Sequence, residues 1–225
     1  TYDQMSQDMA LNNSPLTMLV YWGGLSGADA THLCSFDIPL ISNIPNIVYL
    51  SPATKEEYLA MLEYSLNQTE HPVAIRVPAI LISTGEKDTT DYSILNKFKV
   101  ESQGEKVAIL GLGNFLELAK EVKEELKKQF GFDATVINPK FASGIDKELL
   151  EKLHSMQGVE SVVITGKNHK IYEEWVNRYE DVEVLGYTEN ISRYMRRADL
   201  VITKAGGITL FEILHSQVPL FFIHP

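Results

Sequence analysis

The stretch NPKFASGIDKELLEKLHSMQGVESVVITG, Asn138 to Gly166, decides how the chain folds. It holds the end of one strand, a loop, a helix from Asp146 to about Met156, and a further strand from Ser161 to Thr165. Asp146 is placed to cap the helix, and Leu149, Leu150 and Leu153 recur on one helical face. A strand–helix–strand step of this kind predicts a parallel sheet with a helical crossover. The hydrophobic pattern runs through the step unbroken. It therefore predicts one continuous sheet, with Ser161 to Thr165 beside Val107 to Leu110 and Thr135 to Asn138.

Alternating elements flank this stretch on both sides. Before it, VAILGLGN from Val107 is a strand and loop, Phe115 to about Phe130 is an amphipathic helix, and Phe132 to Asn138 closes with a strand. After it come helix Tyr172 to Arg178, strand Val182 to Leu185, helix Ile191 to Arg197 and strand Leu200 to Thr203. AGGITLFEILHSQ is then a glycine turn into a helix, and Pro219 to Ile223 is a buried strand. This alternation predicts a Rossmann-like α/β domain over about 105–225, with ligands at the carboxyl ends of its strands.

Residues 1–104 predict a first parallel-sheet unit and a linker. A helix from Tyr2 to about Leu11 leads to strand Leu16 to Tyr21 and the glycine-rich loop GGLSGADATH. Phe36 to Ile41 follows, then a strand around Ile47 to Leu50. Ser51-Pro52-Ala53-Thr54 opens a helix from Lys55 to about Asn67, with Glu56 and Glu57 in its favourable first turn. HPVAIRV, His71 to Val77, is the next strand. Residues 79–105 lack clean periodicity and read as a linker with a short hairpin around Phe98 to Glu101, the boundary falling near Gly104. The first residues have no signal-peptide pattern and no start methionine, and the chain stops at Pro225 just after a strand, so further sequence is expected on both sides.

Composition bounds the function. The chain has 225 residues, 44% of them hydrophobic and 22% charged, with net charge −10. An acidic surface argues against a nucleic-acid partner, which needs basic side chains against phosphate. Cys34 is the one cysteine, so no intramolecular disulfide forms, which suits a reducing cytoplasmic setting. No apolar run approaches the ~20 residues of a membrane span. Asp37, His71, His154, His169, His215 and His224 show no metal-ligand spacing. GLGN at Gly111 to Asn114 lacks the third glycine of a dinucleotide loop.

Two constellations carry chemistry. Asp29 and His32 share a glycine-rich loop at a strand's carboxyl end, and Arg76 ends a neighbouring strand. An arginine fork grips phosphate in bidentate fashion, and a histidine beside it donates a hydrogen bond or moves a proton. The plain alternative is a turn cap, a satisfied loop histidine and an arginine paired with a glutamate. The second is KAGGITLFE. Gly206 and Gly207 allow close backbone approach, the N–H groups up to Thr209 suit a diphosphate at a helix N-terminus, and Glu212 one turn in can accept ribose hydroxyls. A tight turn with a threonine cap is the alternative there.

SGADATHLCSFDIPLISNIPNIVYLSPATKEEYLAML followed by HPVAIRVP resembles the pyrimidine-binding region of 1-deoxy-D-xylulose-5-phosphate synthases, transketolase relatives that use thiamine diphosphate. The likeness extends over about 1–153, with VAILGLGN, ATVINPKF and IDKELL resembling the structural C-terminal domain of that family. It implies a fold containing a partial transketolase-like pyrimidine-binding domain. It also implies that Asp29 contacts a substrate hydroxyl, His32 holds substrate or intermediate, and Arg76 grips the sugar phosphate. Pyruvate and glyceraldehyde 3-phosphate would be condensed toward isoprenoid precursors by a dimer carrying thiamine diphosphate and magnesium. Two departures stand out. The family's loop carries an arginine where Trp22 or Gly23 stands, and neither the GDG…N motif for diphosphate and magnesium nor the glutamate that activates the aminopyrimidine is present. The expectation is a chain with no synthase activity by itself.

GVESVVITGKN, LGY, ADLVITK and GGITLFE resemble the C-terminal half of a different group, the glycosyltransferases that include diacylglycerol glucosyltransferases, plant galactolipid synthases and the peptidoglycan enzyme acting on lipid I. That likeness covers about 154–225. It implies a UDP-sugar held by Gly166, Asn168, Tyr187, Gly206, Gly207, Thr209 and Glu212. Arg193, Arg196 and Arg197 would then face anionic lipid at a membrane surface, the plain alternative being a solvated helix face. The residues thus leave three readings open: a synthase fragment, a glycosyltransferase fragment, and an inactive recombined or designed α/β chimera joined in the stretch quoted first.

Overall fold

The computed structural model of the chain describes residues 2–23, 36–105, 107–144, 146, 148–149, 162–164, 169–178, 182–198, 201–203 and 220–222. It is α/β, with parallel sheets linked by helical crossovers. Tertiary contacts divide it into two units, Thr1–Asp146 with Phe222–Pro225, and Lys147–Phe221.

The first unit starts with a helix at Gln4–Leu11 of the wider π type, where an ordinary helix was expected. Its buried Met5, Met9 and Ala10 cover one face of a three-stranded sheet. The strands are β1 (Thr17–Tyr21), β2 (Val48–Leu50) and β3 (Val73–Val77), in the order β1-β3-β2 and all parallel. The central β3 is covered on both faces, which explains its unbroken apolar run rather than an alternating one. Val73 and Ile75 pack with Met61 of α2 (Lys55–Asn67). Ala74 packs on the opposite side with Tyr49 and with Ile41 of the short helix α1 (Asp37–Ile41). Arg76, next on that opposite side, is the one charged residue in the strand, and it is 6% exposed.

Local chemistry fixes α2 at the bounds the sequence predicts. The Thr54 hydroxyl accepts from Glu57 N at 3.2 Å, and the Glu57 carboxylate turns back to accept from Ala53 N at 2.7 Å. This reciprocal arrangement satisfies two amides at the helix start. The adjacent Glu56 stays in solvent and clasps the following loop, accepting from the Ser83 hydroxyl, from Thr84 N at 3.1 Å and from Gly85 N at 3.1 Å. The Ser83 bond, with help from the loop amides, lowers the Glu56 carboxyl to about 2. A depressed carboxylate contributes stability above its ordinary pKa of 4.5 and loses it as pH falls toward about 2. Urea melts should therefore show a gap between wild type and Glu56→Ala that is full at pH 6 and closes between pH 4.5 and 2. A gap of constant size would rule out the clasp.

A second sheet, in the order β4-β6-β5, belongs to the same unit. Strand β5 (Ala108–Leu110) runs parallel to β6 (Thr135–Asn138), with helix α3 (Phe115–Phe130) as the crossover. Gly131 ends α3 at φ 74, a left-handed cap that costs glycine little, and its N–H reaches Lys127 O at 3.0 Å. Strand β4 (Lys99–Ser102) corrects the expected hairpin: it pairs antiparallel with β6, more than thirty residues away. Its mate is non-local, and a local pattern at residues 98–101 could not reveal that. Pairing thus runs across the division near Gly104 that the sequence suggests.

In the second unit, β7 (Val162–Ile164) and β8 (Glu183–Leu185) are parallel neighbours joined through α4 (His169–Arg178). Helix α5 (Ile191–Arg197) buries Met195 and holds β8 through a bond from the Tyr194 hydroxyl to Glu183 Oε1 at 3.0 Å. Strand β9 (Val201–Thr203) pairs with β10 (Leu220–Phe222). The continuous sheet expected across residues 138–166 is not the pairing found. Strand β7 takes β8 as its partner, and β5 takes β6.

Candidate functional site

Of the ten residues to which the sequence assigns substrate, phosphate or nucleotide-sugar contacts, Arg76 and Tyr187 are the two that the structure describes. Asp29, His32, Gly166, Asn168, Gly206, Gly207, Thr209 and Glu212 lie outside the described residues. Tyr187 follows β8 and is 68% exposed. Arg193, Arg196 and Arg197 lie on or beside the outer turns of α5, where Arg196 Nε bonds Ser192 O at 3.2 Å.

Arg76 sits at the carboxyl end of β3, where β1 and β3 end together with Tyr21 beside Val77. Its partner is an aspartate rather than a glutamate. Asp37 Oδ2 accepts from Arg76 Nε at 2.6 Å and Oδ1 accepts from Nη2 at 3.3 Å. The Tyr49 hydroxyl donates to the same Oδ2 at 2.6 Å. Asp37 is 5% exposed and Tyr49 0%. Both charges are thus taken from water, a state that persists only when paired and hydrogen-bonded. In the sequence, Asp37 belongs to the stretch that carries the synthase resemblance and shows no metal-ligand spacing, but no pairing with Arg76 is evident there. The signal that could have found it is an acidic residue opening an otherwise apolar helix, DIPLI.

Gly23 completes this corner. Its N–H donates to Val77 O at 3.0 Å, and a Cβ placed on it would lie 2.4 Å from Arg76 Cγ. Glycine is required here by close approach, since any side chain would displace the arginine stem. Gly23 and Asp37 lie on either side, in sequence, of residues 24–35, which include Asp29 and His32. The residue before them touches Arg76, and Asp37, just after Phe36, is ion-paired to it.

A second buried polar cluster lies within the same unit. Lys140 is 1% exposed and holds φ +59, beyond the end of β6. Its Nζ lies 3.0 Å from Glu57 Oε1, 3.3 Å from Asp88 Oδ2, 2.8 Å from Thr90 Oγ1 and 5.5 Å above the Tyr92 ring. Asn138 Nδ2 donates to the same Glu57 oxygen at 2.8 Å. Burial works against the Asp88 carboxylate, but bonds from Thr90 and Tyr92 and the Lys140 charge outweigh it and hold its carboxyl below the usual range. Burial, then the bond to Asp88, pushes the Tyr92 phenol far up. This cluster ties α2, residues 88–92 and the end of β6 together. Among the described residues, no three His, Cys, Asp or Glu side chains converge as a metal site requires.

Comparison with known proteins finds likenesses in fold and in sequence. A solved structure titled "Split gene transketolase, inactive beta4 tetramer" shares the fold, with TM-score 0.57 at 19% identity, covering 82% of this chain and 61% of that one. Residues 1–83 match the family model for the transketolase pyrimidine-binding domain, and residues 114–224 match that for the glycosyltransferase family 28 C-terminal domain. The start of the chain is thus similar to a transketolase pyrimidine-binding domain, and its later part to a glycosyltransferase C-terminal domain. The second match begins at 114, earlier than the point near Leu153 at which the sequence motifs change. Its curated relatives include the 1-deoxy-D-xylulose-5-phosphate synthase of Acidobacterium capsulatum, 41% identical over 154 residues (66% of this chain, 24% of that protein). That of Lachnoclostridium phytofermentans is 29% identical over 199 residues (88% of this chain, 29% of that protein). The chain spans about a quarter of the length of these relatives.

Proposed function

We propose that the chain is a segment of a 1-deoxy-D-xylulose-5-phosphate synthase that retains a sugar-phosphate subsite and does not turn over by itself. In this reading Arg76 grips the phosphate of a small sugar, His32 holds the substrate or intermediate, and Asp29 contacts a hydroxyl. One observation carries it: Gly23 and Asp37, on either side of the loop that bears Asp29 and His32, both bear on Arg76. By ancestry we divide the chain into a partial pyrimidine-binding domain and linker (1–104), a synthase C-terminal-like part (105–153) and a glycosyltransferase-like part (154–225). A cytoplasmic homodimer goes with this reading. Among the described residues, no helix is long and apolar enough to cross a membrane.

Thiamine diphosphate would supply a thiazolium carbanion to such a reaction, with magnesium on its diphosphate. The described residues offer no converging donor set for that magnesium, so no step is routed through the cofactor. Two measurements test the reading. A carboligation assay with pyruvate, glyceraldehyde 3-phosphate and added cofactor should give no product, and measurable turnover would overturn the inactive reading. Calorimetric titration with inorganic phosphate should show saturable binding that Arg76→Lys weakens about tenfold or more, because an ammonium cannot reproduce the bidentate fork. Equal binding by the variant would remove Arg76 from the subsite.

The match of residues 114–224 supports a second reading, a nucleotide-sugar site in the glycosyltransferase-like part. There Gly166, Asn168, Tyr187, Gly206, Gly207, Thr209 and Glu212 would hold a UDP-sugar. Titration of the folded chain with uridine diphosphate should then shift its spectra weakly, in the millimolar range. No shift at that concentration would eliminate it and leave an inactive chimera for this part.

A further inference from the structure

Arg76 is fixed at both ends of its side chain. Gly23 lies against the stem, where a Cβ would come within 2.4 Å of Cγ and 3.2 Å of Nε. At the far end Asp37 takes the Nε edge of the guanidinium, at 2.6 Å to Nε and 3.3 Å to Nη2. A guanidinium has a second in-plane edge, formed by Nη1 and Nη2, which suits the two oxygens of a phosphate. Asp37 bonds the first edge, at Nε and Nη2, and so fixes the plane in which the second edge lies. Asp37 is itself held by the Tyr49 hydroxyl at 2.6 Å. The Tyr49 ring is fully buried in the cluster of Ile41, Ile44 and Ala74, so this donor cannot swing away.

We propose that Asp37, backed by Tyr49, is the positioning residue that presents Arg76 to a substrate phosphate. This rests on the reading of Arg76 as a phosphate grip. Asp37 does not touch the ligand. It removes the rotational freedom of the guanidinium in advance, which is where preorganised sites gain affinity. The Gly23 contact does the same for the stem. Simple electrostatics gives the opposite sign for loss of the carboxylate. Removing a negative charge beside an anion site should tighten phosphate binding, whereas loss of positioning weakens it.

The test uses the whole chain, inorganic phosphate as the probe, and the arginine Nε–H signals in proton–nitrogen correlation spectra. In wild type the buried, hydrogen-bonded Arg76 Nε–H should give a sharp signal that moves saturably with phosphate. Asp37→Asn should broaden that signal and weaken phosphate binding about tenfold or more, the range typical for partners that orient a binding group. Tyr49→Phe keeps the buried ring and the ion pair and should weaken binding by a smaller factor. It decides the matter if Asp37→Asn does not fold. Wild-type saturation at Arg76 with unchanged or tighter binding in the variants would overturn the positioning role and leave the phosphate reading standing. A folded wild type whose Arg76 signal ignores phosphate would overturn both.

Discussion

Lys140→Met is expected to destabilise the first unit by about 3–5 kcal/mol, because it strands the buried Glu57 carboxylate and the half-buried Asp88 carboxylate. The lysine is 1% exposed, and its Nζ stands 3.0 Å from Glu57 and 3.3 Å from Asp88. Methionine matches the stem's volume, so packing around Tyr92 is largely kept and the loss is electrostatic. Glu57 would keep Ala53 N and Asn138 Nδ2, and Asp88 would keep Thr90 and Tyr92, but neither would have a countercharge from Lys140. The pH dependence sharpens the expectation. In wild type the depressed Asp88 carboxyl contributes stability above its ordinary pKa of 3.8 and loses it as pH falls below that value. In the variant protonation relieves a buried uncompensated charge, so the deficit should shrink as pH falls from 7 toward 4. Urea denaturation across that range checks both statements. A deficit under about 1 kcal/mol, the scale of an exposed pair, or one that does not change with pH, would show that the cluster is not the tie described.

The same lysine shows what the sequence could and could not disclose. Helices α2 and α3 were legible to their end residues because their signals are local: Thr54 with Glu57 at one start, Gly131 at one end. The β–α alternation and the parallel sheets were legible for the same reason. The partner of β4 was not, since it lies in β6, and a run of four residues carries no information about a mate so distant in sequence. Nor was Lys140, whose partners Asp88 and Glu57 lie 52 and 83 positions upstream. Residues 79–105 read as a linker because their periodicity is poor. Besides the pairing of β4, they are held by side chains, through Asp88, Thr90 and Tyr92 to Lys140 and through Phe98 N to Asp146 Oδ2 at 2.9 Å. At the candidate site, Arg76 was legible as a cation ending a strand. Asp37 was not, because its meaning depends on the geometry of two elements that meet only in the fold.

Arg76→Met should cost the fold about as much as Lys140→Met, about 3–5 kcal/mol, by leaving Asp37 buried with Tyr49 as a neutral donor. Asp37→Leu should cost a similar amount by stranding the guanidinium. The informative protein is the triple variant Asp37→Leu/Tyr49→Phe/Arg76→Met, which removes both charges and the hydroxyl together. Burying apolar groups in place of a paired ion set is often neutral or stabilising, so the triple variant should recover to within about 1–2 kcal/mol of wild type. The surroundings favour that outcome, since Ala74, Ile41 and Ile44 already line this side of β3. Such a result would mean that Asp37, Tyr49 and Arg76 are not what makes this sheet fold. Their retention as a polar trio in an apolar layer would then need a reason outside stability, and the phosphate subsite supplies one. The triple variant should melt near wild type yet show no phosphate binding. A triple variant less stable than either single variant would reverse the conclusion, making the pair a requirement of the fold and leaving Arg76 no separate claim to a ligand.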